Sequence, residues 1–236
     1  TVYDVFGRAV RLIKPGDSTT NPTTQATYFD GTSTQPFRYR VDQREASGAA
    51  GVRILQTYTD GLGRTIQQKR ESQDNAANII TDSSYDALGR VIAQSQPREV
   101  SQTASAFTSY TTPTSPLYRA TTTTYDALGR PLIVTAADST TTVSSYGVDG
   151  DGPWTKVIDA NSHALVHWND VFGRLKIVRE YTGTTSPRTL YATTQSTSDA
   201  LDRLTRVTDA SGNIIDLTYD SLGRKLQDIE LLGAKR

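Results

Sequence analysis

Polar and apolar residues alternate along short stretches of this chain, and residues that favour turns separate the stretches. An alternation with a period of two is typical of a β-strand that has one face on a core and the other in solvent. The pattern therefore predicts strands before two of the turns, at Val52, Ile54, Gln56 and Tyr58 and at Thr121, Thr123 and Tyr125.

A six-residue pattern, Tyr-Asp-x-(Leu or Phe)-Gly-Arg, recurs along the chain, and such repeats are the strongest guide to architecture. Successive aspartates lie from 21 residues apart (Asp199 to Asp220) to 56 residues apart (Asp4 to Asp60). This spacing is too irregular for a solenoid with one coil per repeat, and it favours a constant hairpin tip joined by strands of variable length. Seven copies begin at Tyr3, Thr59, Tyr85, Tyr125, Asn169, Ser198 and Tyr219, and Tyr28-Phe29-Asp30-Gly31 is a degenerate eighth.

The motif has the chemistry of a tight turn. An Asp side chain can bond its own backbone two residues further on, the next residues adopt type I turn angles, and glycine supplies the left-handed residue of a bulge. This is a common hairpin connection. We therefore assign an architectural role to the repeat residues Tyr3, Asp4, Gly7, Arg8, Asp60, Gly63, Arg64, Tyr85, Asp86, Gly89, Arg90, Tyr125, Asp126, Gly129, Arg130, Asp170, Gly173, Arg174, Asp199, Arg203, Tyr219, Asp220, Gly223 and Arg224.

Strands are also predicted after the turns. The position six residues beyond the motif's Asp is apolar in five copies, and a second apolar residue on the same face follows two positions later. Each copy is thus predicted to be strand, turn and strand, and further strand-like runs lie at 79–80, 164–168, 189–192 and 214–219. The apolar positions are Val10, Ile66, Ile92, Leu132 and Leu226, then Leu12, Val134, Val178 and Val207.

The Leu or Phe within the motif is unexpected, because exposed turns are normally polar. We expect this side chain to tuck under the turn or against a neighbouring hairpin. The Arg that ends the motif is expected to pair with the Asp of its own or an adjacent turn, which contributes about 0.2–1 kcal/mol if exposed. The apolar residues are Phe6, Leu62, Leu88, Leu128, Phe172, Leu201 and Leu222.

The composition allows two interpretations of the many Thr and Ser residues, and it excludes several kinds of binding site. The 36 Thr and 20 Ser residues suit either strands or a disordered, O-glycosylated stalk, and the ordered turns favour strands. With 25 basic and 25 acidic residues, the chain has no basic field for nucleic-acid binding. It has no cysteine for disulfides or thiolate zinc sites, and we expect neither a membrane-spanning run nor an export leader in it. Thr1 in place of an initiating Met predicts a piece of a longer protein.

Few residues suggest chemistry. His163 and His167 have the i, i+4 spacing of a zinc site on a helix, but the surrounding alternation predicts a strand, where four residues span about 13 Å and cannot share an ion. The loop 147–153 resembles the opening of a calcium loop and lacks its later ligands. We therefore expect no metal and no cofactor. No nucleophile elbow, phosphate loop or dinucleotide fingerprint occurs, so the chain is not predicted to be an enzyme.

The aromatic residues leave an alternative open. Twelve tyrosines with Trp154 and Trp168 are compatible with a sugar-stacking surface, since aromatic rings with polar handles suit glycans. The simpler interpretation is that the repeat tyrosines Tyr3, Tyr85, Tyr125 and Tyr219 pack between strands.

The organisation is predicted to be a single repeat array over 1–236. Flexible interruptions are expected where Pro, Gly, Ser and Thr collect between strand-like runs. These are Pro15–Thr24, Gln43–Gly51, Gln96–Pro116, Ser139–Pro153 and Thr182–Pro187.

The repeats resemble the YD-repeat, or Rhs, family of bacterial proteins. The resemblance extends from Tyr3 to about Asp228, and stretches such as RATTTTYDALGRPLIVTAAD and VTDASGNIIDLTYDSLGRK are similar to the Rhs segments of toxin-complex B and C components. It implies an all-β fold of antiparallel hairpins in a long curved or spiralling sheet, part of a hollow shell around a toxic C-terminal polypeptide. The chain has no Asp-Pro dipeptide, so we do not expect it to contain the family's self-cleaving core or a toxin domain.

Two functions are therefore carried forward. The first is a secreted or cell-surface wall segment that encloses or presents a toxin or another polypeptide and whose partners are the rest of its parent chain and that cargo. The second is a cell-surface module that binds carbohydrate or protein through exposed Tyr, Trp and Arg. A hydrolase that uses scattered carboxylates ranks third.

Overall fold

The computed structural model describes residues 1–46, 51–72, 77–101 and 108–232, and it contains nineteen strands in those ranges. The strands are β1 (Val2–Tyr3), β2 (Ala9–Leu12), β3 (Thr24–Phe29), β4 (Phe37–Arg44), β5 (Val52–Thr59), β6 (Thr65–Glu71), β7 (Ala77–Tyr85), β8 (Val91–Gln94), β9 (Arg98–Ser101), β10 (Thr121–Tyr125), β11 (Pro131–Thr135), β12 (Thr141–Asp149), β13 (Gly152–Ile158), β14 (Ala164–Asn169), β15 (Leu175–Thr182), β16 (Thr189–Ser198), β17 (Leu204–Thr208), β18 (Ile214–Tyr219) and β19 (Lys225–Leu231).

The chain divides into two compact units. The first unit comprises Thr1–Thr123 with Ala136–Asp138, and the second comprises Thr124–Thr135 with Ser139–Arg236. Strand β10 contributes residues to both.

In the first unit the strands pair antiparallel in sequence order from β1 to β7. The far edge of β7 is shared, because its end pairs with β8 and its beginning pairs with β9. Strand β8 also pairs with the first two residues of β10. Strands β8 and β9 thus act as one interrupted strand beside β7.

In the second unit, β11 to β19 pair antiparallel in strict sequence order. In consecutive antiparallel strands, successive turns lie at alternate ends of the strands. We call these two sides of the unit, where the strands end in turns, its edges. The turns after β10, β12, β14, β16 and β18 therefore lie at one edge, and the remaining turns lie at the other. The prediction of an all-β fold built from antiparallel hairpins is confirmed.

The predicted strand-like runs lie in β7, β14, β16 and β18. The predicted interruption at Ser139–Pro153 is wrong, because β12 occupies most of it and pairs along its length with β13. Threonine fits the pleated surface of a strand, so a Thr-rich composition there did not mean a loop. Strands β4 and β9 also begin or end inside predicted interruptions, while 47–50 and 102–107 lie outside the described residues. In the described ranges, no helix has the length and hydropathy of a membrane span.

The first unit is unusual in what it buries. Its buried hydrophobic side chains are Tyr58 and Ile80, whereas the side chains of Gln67, Lys69 and Asp82 are at most 1% exposed. In a strand pair, residues opposite each other share a face, and Lys69 lies opposite Ile80.

The second unit has a small aromatic core. Val166, Trp168 and Ile177 are buried together, and Trp154 and Tyr181 pack against them. Trp154 lies directly opposite Trp168 on neighbouring strands, and Trp168 lies opposite Ile177. The cluster spans β13, β14 and β15.

Candidate functional site: the hairpin turns and their links

The repeat motif forms a closed five-residue turn, as the loop at Asp86 shows. The carboxylate oxygen Oδ1 of Asp86 accepts hydrogen bonds from the backbone N–H groups of Leu88 and Arg90, both at 2.9 Å. The N–H of Gly89 donates to the Asp86 carbonyl at 3.0 Å, and the Asp86 N–H donates to the Arg90 carbonyl at 2.9 Å. Gly89 has φ of 83°, a left-handed conformation that glycine adopts without steric cost.

An ion pair completes each turn. In all seven copies the Arg Nε donates to Oδ2 of the Asp four residues earlier, at 2.6 to 2.7 Å. Each Asp therefore receives two backbone and one guanidinium hydrogen bond. The paired residues are Asp4 and Arg8, Asp60 and Arg64, Asp86 and Arg90, Asp126 and Arg130, Asp170 and Arg174, Asp199 and Arg203, and Asp220 and Arg224.

These hydrogen bonds stabilise the ionised carboxylates. The backbone N–H of Arg90 contributes most to lowering the pKa of Asp86 below its usual value, and the Arg174 side chain contributes most at Asp170. A lowered folded-state pKa stabilises the fold above the unfolded value of about 4. That stabilisation is lost as the pH falls through the lower folded value.

The apolar residue of each turn is exposed, so the expectation that it would be tucked in is wrong. These tip residues are 70% to 79% exposed. They lie beyond the last strand pair, where the sheet offers no neighbouring surface, and the Asp closes the turn without them. The tip residues are Phe6, Leu62, Leu88, Leu128, Phe172, Leu201 and Leu222.

Two further turns have the same construction and were not found from the sequence. Oδ1 of Asp159 accepts from the N–H groups of Asn161 and His163, and Oδ1 of Asp209 accepts from those of Ser211 and Asn213. Both lie at the edge of the second unit opposite to its YD turns. They carry Asn or Ser where the YD turns carry Leu or Phe, so the apolar tip is not needed to form the turn.

The Arg of one turn also contacts the next hairpin at the same edge. The Arg64 guanidinium lies 4.7 Å from the Tyr85 ring centre, and the Tyr85 hydroxyl donates to the Thr65 carbonyl at 2.7 Å. In the second unit Arg203 lies 5.0 Å from the Tyr219 ring, whose hydroxyl donates to the Leu204 carbonyl at 2.8 Å. The Tyr is thus held by the Arg and by the carbonyl that directly follows that Arg.

Two tyrosines outside the seven copies make the same link. Arg8 stacks on Tyr28 and Arg130 stacks on Tyr146, each at 4.1 Å. Their hydroxyls donate to the carbonyls that follow each Arg, at Ala9 and Pro131. Tyr28 belongs to the degenerate eighth copy, whereas Tyr146 precedes a loop that lacks the motif. We call this arrangement of Arg, Tyr and carbonyl the Arg–Tyr link.

One copy has Ser198 in place of the Tyr, and there a carboxylate interacts with the preceding Arg. The copy that follows Arg174 begins with Ser198, and Nη1 of Arg174 donates to the Asp199 carbonyl at 2.8 Å. The same nitrogen pairs at 3.0 Å with Asp202, which occupies the glycine position with φ of 63°. The left-handed conformation is rarer for Asp than for Gly, and here it brings an acceptor to the preceding turn.

The first unit also contains a buried polar network, which we call the polar layer: Gln56, Gln67, Lys69, Asp82 and Arg98. Gln67 donates to Asp82 at 2.6 Å, and Arg98 pairs with Asp82 at 3.1 Å. The network lies under the segment 108–111, since Lys69 donates to the Ser109 carbonyl and to the Thr111 hydroxyl. Gln67 makes two more hydrogen bonds with the Thr111 backbone.

Burial changes the acid–base behaviour of this layer. Desolvation lowers the pKa of Lys69 to about 8, with Asp82 partly opposing the shift. Desolvation also raises the pKa of Tyr58 and that of Tyr110, which packs on Tyr58 with ring centres 5.6 Å apart. Sequence reasoning missed this network, because polar residues on both faces of β6 normally indicate a solvated strand.

The residues considered for metal binding are separated or have protein partners. His167 lies in β14, while His163 lies in the preceding turn with Nδ1 3.3 Å from Asp159. Asp149 accepts from the Trp168 indole, and Asp151 pairs with Arg179. Within the described ranges, no cluster of three or more potential ligands is formed.

The tyrosines of the motif differ in their packing. Tyr85 and Tyr219 are partly buried and bonded through their hydroxyls, as the Arg–Tyr link requires. Tyr3, which begins the first copy, is 61% exposed.

Comparison with known proteins agrees with this geometry. Residues 199–229 match the model of the RHS repeat and include the turns at Asp199 and Asp220. The chain therefore contains an RHS, or YD, repeat over these residues. Residues 32–129 of this Rhs-repeat chain match a domain of unknown function, DUF6443. No curated protein sequence matches it.

One solved structure shows the same fold. The crystal structure of TcdB2-TccC3 matches with a TM-score of 0.53 at 14% identity, over 92% of this Rhs-repeat chain and 15% of that chain. TcdB2-TccC3 without its hypervariable C-terminal region matches with a TM-score of 0.47 at 14% identity, over 85% and 14% of the two chains. A Photorhabdus luminescens Tc holotoxin pore matches at 0.37 and 15% identity, over 86% and 14%. The chain therefore spans about 15% of the structure with the highest of these scores.

Proposed function

We propose that this Rhs-repeat chain is a wall segment of a larger shell that encloses or presents a toxin or another polypeptide. The role is structural and non-catalytic, and the partners are the rest of the parent chain and the enclosed polypeptide. The single repeat array over 1–236 would be one part of that wall. The Arg–Tyr link carries the proposal, because it joins hairpins independently of the length of the strands between them.

The link is suited to building an extended wall. Four of the motif arginines close their own turn through the Asp and also contact the Tyr of the next hairpin, so one side chain serves two hairpins; they are Arg8, Arg64, Arg130 and Arg203. A cation–π contact contributes about 0.5–1 kcal/mol at an exposed site, and the Tyr hydroxyl adds a hydrogen bond worth about 0.5–1.5 kcal/mol. Repeated at successive hairpins, these small terms favour continuous pairing over isolated hairpins.

The tip residues support a larger assembly. Leu128, Phe172, Leu201 and Leu222 lie at one edge of the second unit, and the turns at the opposite edge carry Asn161 and Ser211. Exposed apolar residues concentrated on one side are typical of an interaction surface. We assign the occupant of this edge to the remainder of the parent chain.

The non-catalytic role is supported by the state of the ionisable groups. The seven motif carboxylates are each engaged by their own turn. Lys69, whose pKa is the most strongly perturbed, is fully buried under 108–111. Groups with perturbed pKa values also occur in structural networks, so a shift by itself does not define an active site.

The similarity to TcdB2-TccC3 supports the placement in a toxin-complex type of protein, and with it a secreted or cell-surface location. TcdB2-TccC3 includes a hypervariable C-terminal region. In the proposed parent chain of this protein, a polypeptide in the corresponding place would be the cargo.

The experiment is protease protection of the cargo in the intact parent protein. The parent protein and its isolated C-terminal cargo region are digested in parallel, and the cargo is followed by mass spectrometry. We expect cargo peptides of the parent to survive protease concentrations that degrade the isolated region. Equal cleavage rates for the two would contradict the wall function.

A matched pair of variants tests whether protection of the cargo from protease depends on the Arg–Tyr link. Tyr219→Leu removes both contacts that hold this ring, and Tyr191→Leu changes a tyrosine that is 72% exposed. Tyr219→Leu is expected to accelerate cargo cleavage, and Tyr191→Leu is expected to leave it unchanged.

A further inference from the structure

The segment 108–111 contacts one face of the first unit in the way that a bound peptide contacts a receptor. The side chains beneath it come from β4, β5 and β6 and share this face, because Arg38 lies opposite Tyr58 and Tyr58 lies opposite Gln67. Gln56 lies opposite Lys69 in the next row of the same face. The wall function does not use this arrangement.

Most of the contacts are made to main-chain atoms of the segment. The Gln67 side chain donates from Nε2 to the Thr111 carbonyl at 2.7 Å, and its Oε1 accepts from the Thr111 N–H at 3.1 Å. Lys69 donates to the Ser109 carbonyl. Every residue other than proline presents these main-chain groups, so such contacts hold a segment largely independently of its sequence. The remaining main-chain partners are the Thr108 carbonyl, which accepts from Gln56 and Arg38, and the Tyr110 N–H, which donates to Gln35.

Two side chains of the segment add a preference. The Tyr110 ring packs on Tyr58 with ring centres 5.6 Å apart, and the Thr111 hydroxyl accepts from Lys69 at 2.7 Å. The surface beneath the segment is therefore suited to an aromatic residue that is followed by a residue with a hydroxyl group.

The segment does not use every polar group beneath it. Gln56 is fully buried, and its Oε1 accepts no hydrogen bond from the described residues. Gln67, by contrast, uses both ends of its amide on Thr111. A buried acceptor without a donor carries a cost in free energy. A peptide that supplies a main-chain N–H to Gln56 removes this cost, which 108–111 does not.

The segment is also a thin cover. Thr108 and Ser109 are exposed, while Lys69 beneath them is fully buried. The strand pairs β5–β6 and β6–β7 do not include the segment, so its displacement leaves these pairs intact. Parts of a protein that lie outside its strand pairing open at a lower free energy than the strands do.

We infer that the polar layer and Tyr58 form a peptide-binding surface that 108–111 occupies as a resident ligand. A peptide with an aromatic residue followed by Ser or Thr binds there when it displaces this segment. Because the resident segment belongs to the same chain, its effective concentration is high. Binding of a separate peptide is therefore weak until the contacts of the resident segment are weakened.

The test follows the acetylation of Lys69 in the intact 236-residue chain by mass spectrometry, with the exposed Lys176 as the internal reference. Tyr110→Ala removes the packing on Tyr58 and leaves the surface beneath the segment unchanged. We expect it to speed the acetylation of Lys69 by about tenfold. Tyr118→Ala, which changes a tyrosine that is 44% exposed, is the matched control and should leave the rate as it is in the wild type.

A peptide added to the Tyr110→Ala chain tests binding directly. The probe is Thr-Ser-Tyr-Thr-Thr, which copies residues 108–112 and is acetylated and amidated at its ends so that it has no amine of its own. It should protect Lys69 from acetylation in a saturable manner. Thr-Ser-Ala-Thr-Thr should need a concentration about tenfold higher, because it lacks the ring that packs on Tyr58.

Hydrogen exchange of the wild-type chain provides a second measurement that does not depend on the folding of Tyr110→Ala. The Thr111 amide should exchange faster than the paired amides of β6, because displacement of the segment exposes it. Equal exchange rates would show that the segment is a fixed part of the first unit and would overturn the inference. Acetylation of Lys69 that Tyr110→Ala leaves unchanged, no protection by the tyrosine peptide, or equal protection by both peptides would overturn it as well. None of these outcomes depends on the wall function, which the cargo digestion tests.

Discussion

The two units of this Rhs-repeat chain use the same hairpins and turns but fill their interiors differently. The first unit buries a charged and amide-rich layer, with Lys69 and Asp82 at most 1% exposed, beneath the segment 108–111. The second unit buries a small aromatic cluster around Trp168. The repeated turns therefore define the strands, while the interior of each unit is set by residues outside the motif.

The difference has a physical consequence. Polar groups removed from water stabilise a fold only when their hydrogen bonds are satisfied, and losing one partner of a buried pair is costly. Apolar clusters depend on volume and shape. The first unit should therefore be sensitive to charge and pH, and the second to side-chain volume.

The largest expected effect is the loss of Asp82. Asp82→Ala removes the partner of Arg98 and an acceptor of Gln67, and we expect it to lower the free energy of unfolding by about 3–5 kcal/mol. The control is Asp216→Ala in the second unit, which breaks the more exposed pair with Arg206 and should cost about 1 kcal/mol or less. Urea unfolding measures both, and similar losses would remove the proposed contrast.

The pH dependence of the first unit follows from Lys69. Its pKa is about 8 in the folded state and 10.5 as the reference value, so the unfolded chain holds a proton that the folded chain has released. The free energy of unfolding should therefore rise between pH 8 and 10, by on the order of 2 kcal/mol. Above pH 10 the raised pKa values of Tyr58 and Tyr110 act in the opposite direction.

Lys69→Met tests whether Lys69 causes the rise in the free energy of unfolding between pH 8 and 10. The variant has no amine to titrate, and its unfolding free energy should be flat over the same pH range. A rise of equal size in the variant would place the responsible group elsewhere.

The stability of the second unit should depend most on side-chain volume. Gly147→Ala introduces a methyl group into the position of the Trp154 indole, and overpacking of this kind costs about 1–3 kcal/mol. The ring must also move, which changes the fluorescence spectrum. Gly150→Ala is the matched control, since its added Cβ meets no atom within 4 Å. Equal stability of the two variants would show that the indole does not rest on β12.

The smallest expected effect on stability is at the turn tips. Leu222→Asn copies the residue type found at Asn161, and because the turn closes through Asp220, the free energy of unfolding should change by no more than about 0.5 kcal/mol. Self-association of the isolated chain should decrease, as measured by sedimentation velocity. Asn161→Leu is expected to increase it. A large loss of stability in Leu222→Asn would mean that the tip supports the turn after all.

Local chemistry made the turns predictable from the sequence. At Asp86, the Asp, the glycine and the arginine interact within five residues, so the motif alone contains the geometry. The strands followed from alternation. Tyr146 was not identified as a link residue because the loop after it lacks the motif, and only strand pairing brings its ring to Arg130.

The interiors were not predictable, because they depend on distant segments. Lys69 lies between two polar neighbours in β6, so the pattern does not indicate which face is covered. The covering residue Ser109 is 40 positions away. The exposure of the tip residues was not predicted either, because an apolar residue is buried only where another surface is available to cover it.

The central claim is that the motif's Arg and the next Tyr join consecutive hairpins, and a double-mutant cycle tests it most directly. The variants are Arg203→Gln, Tyr219→Leu and the combination, with Arg203→Gln and Tyr191→Leu as the control cycle. The account predicts a coupling energy of about 0.5–1.5 kcal/mol between Arg203 and Tyr219 and none in the control. Additive effects of Arg203 and Tyr219 on the free energy of unfolding would contradict it.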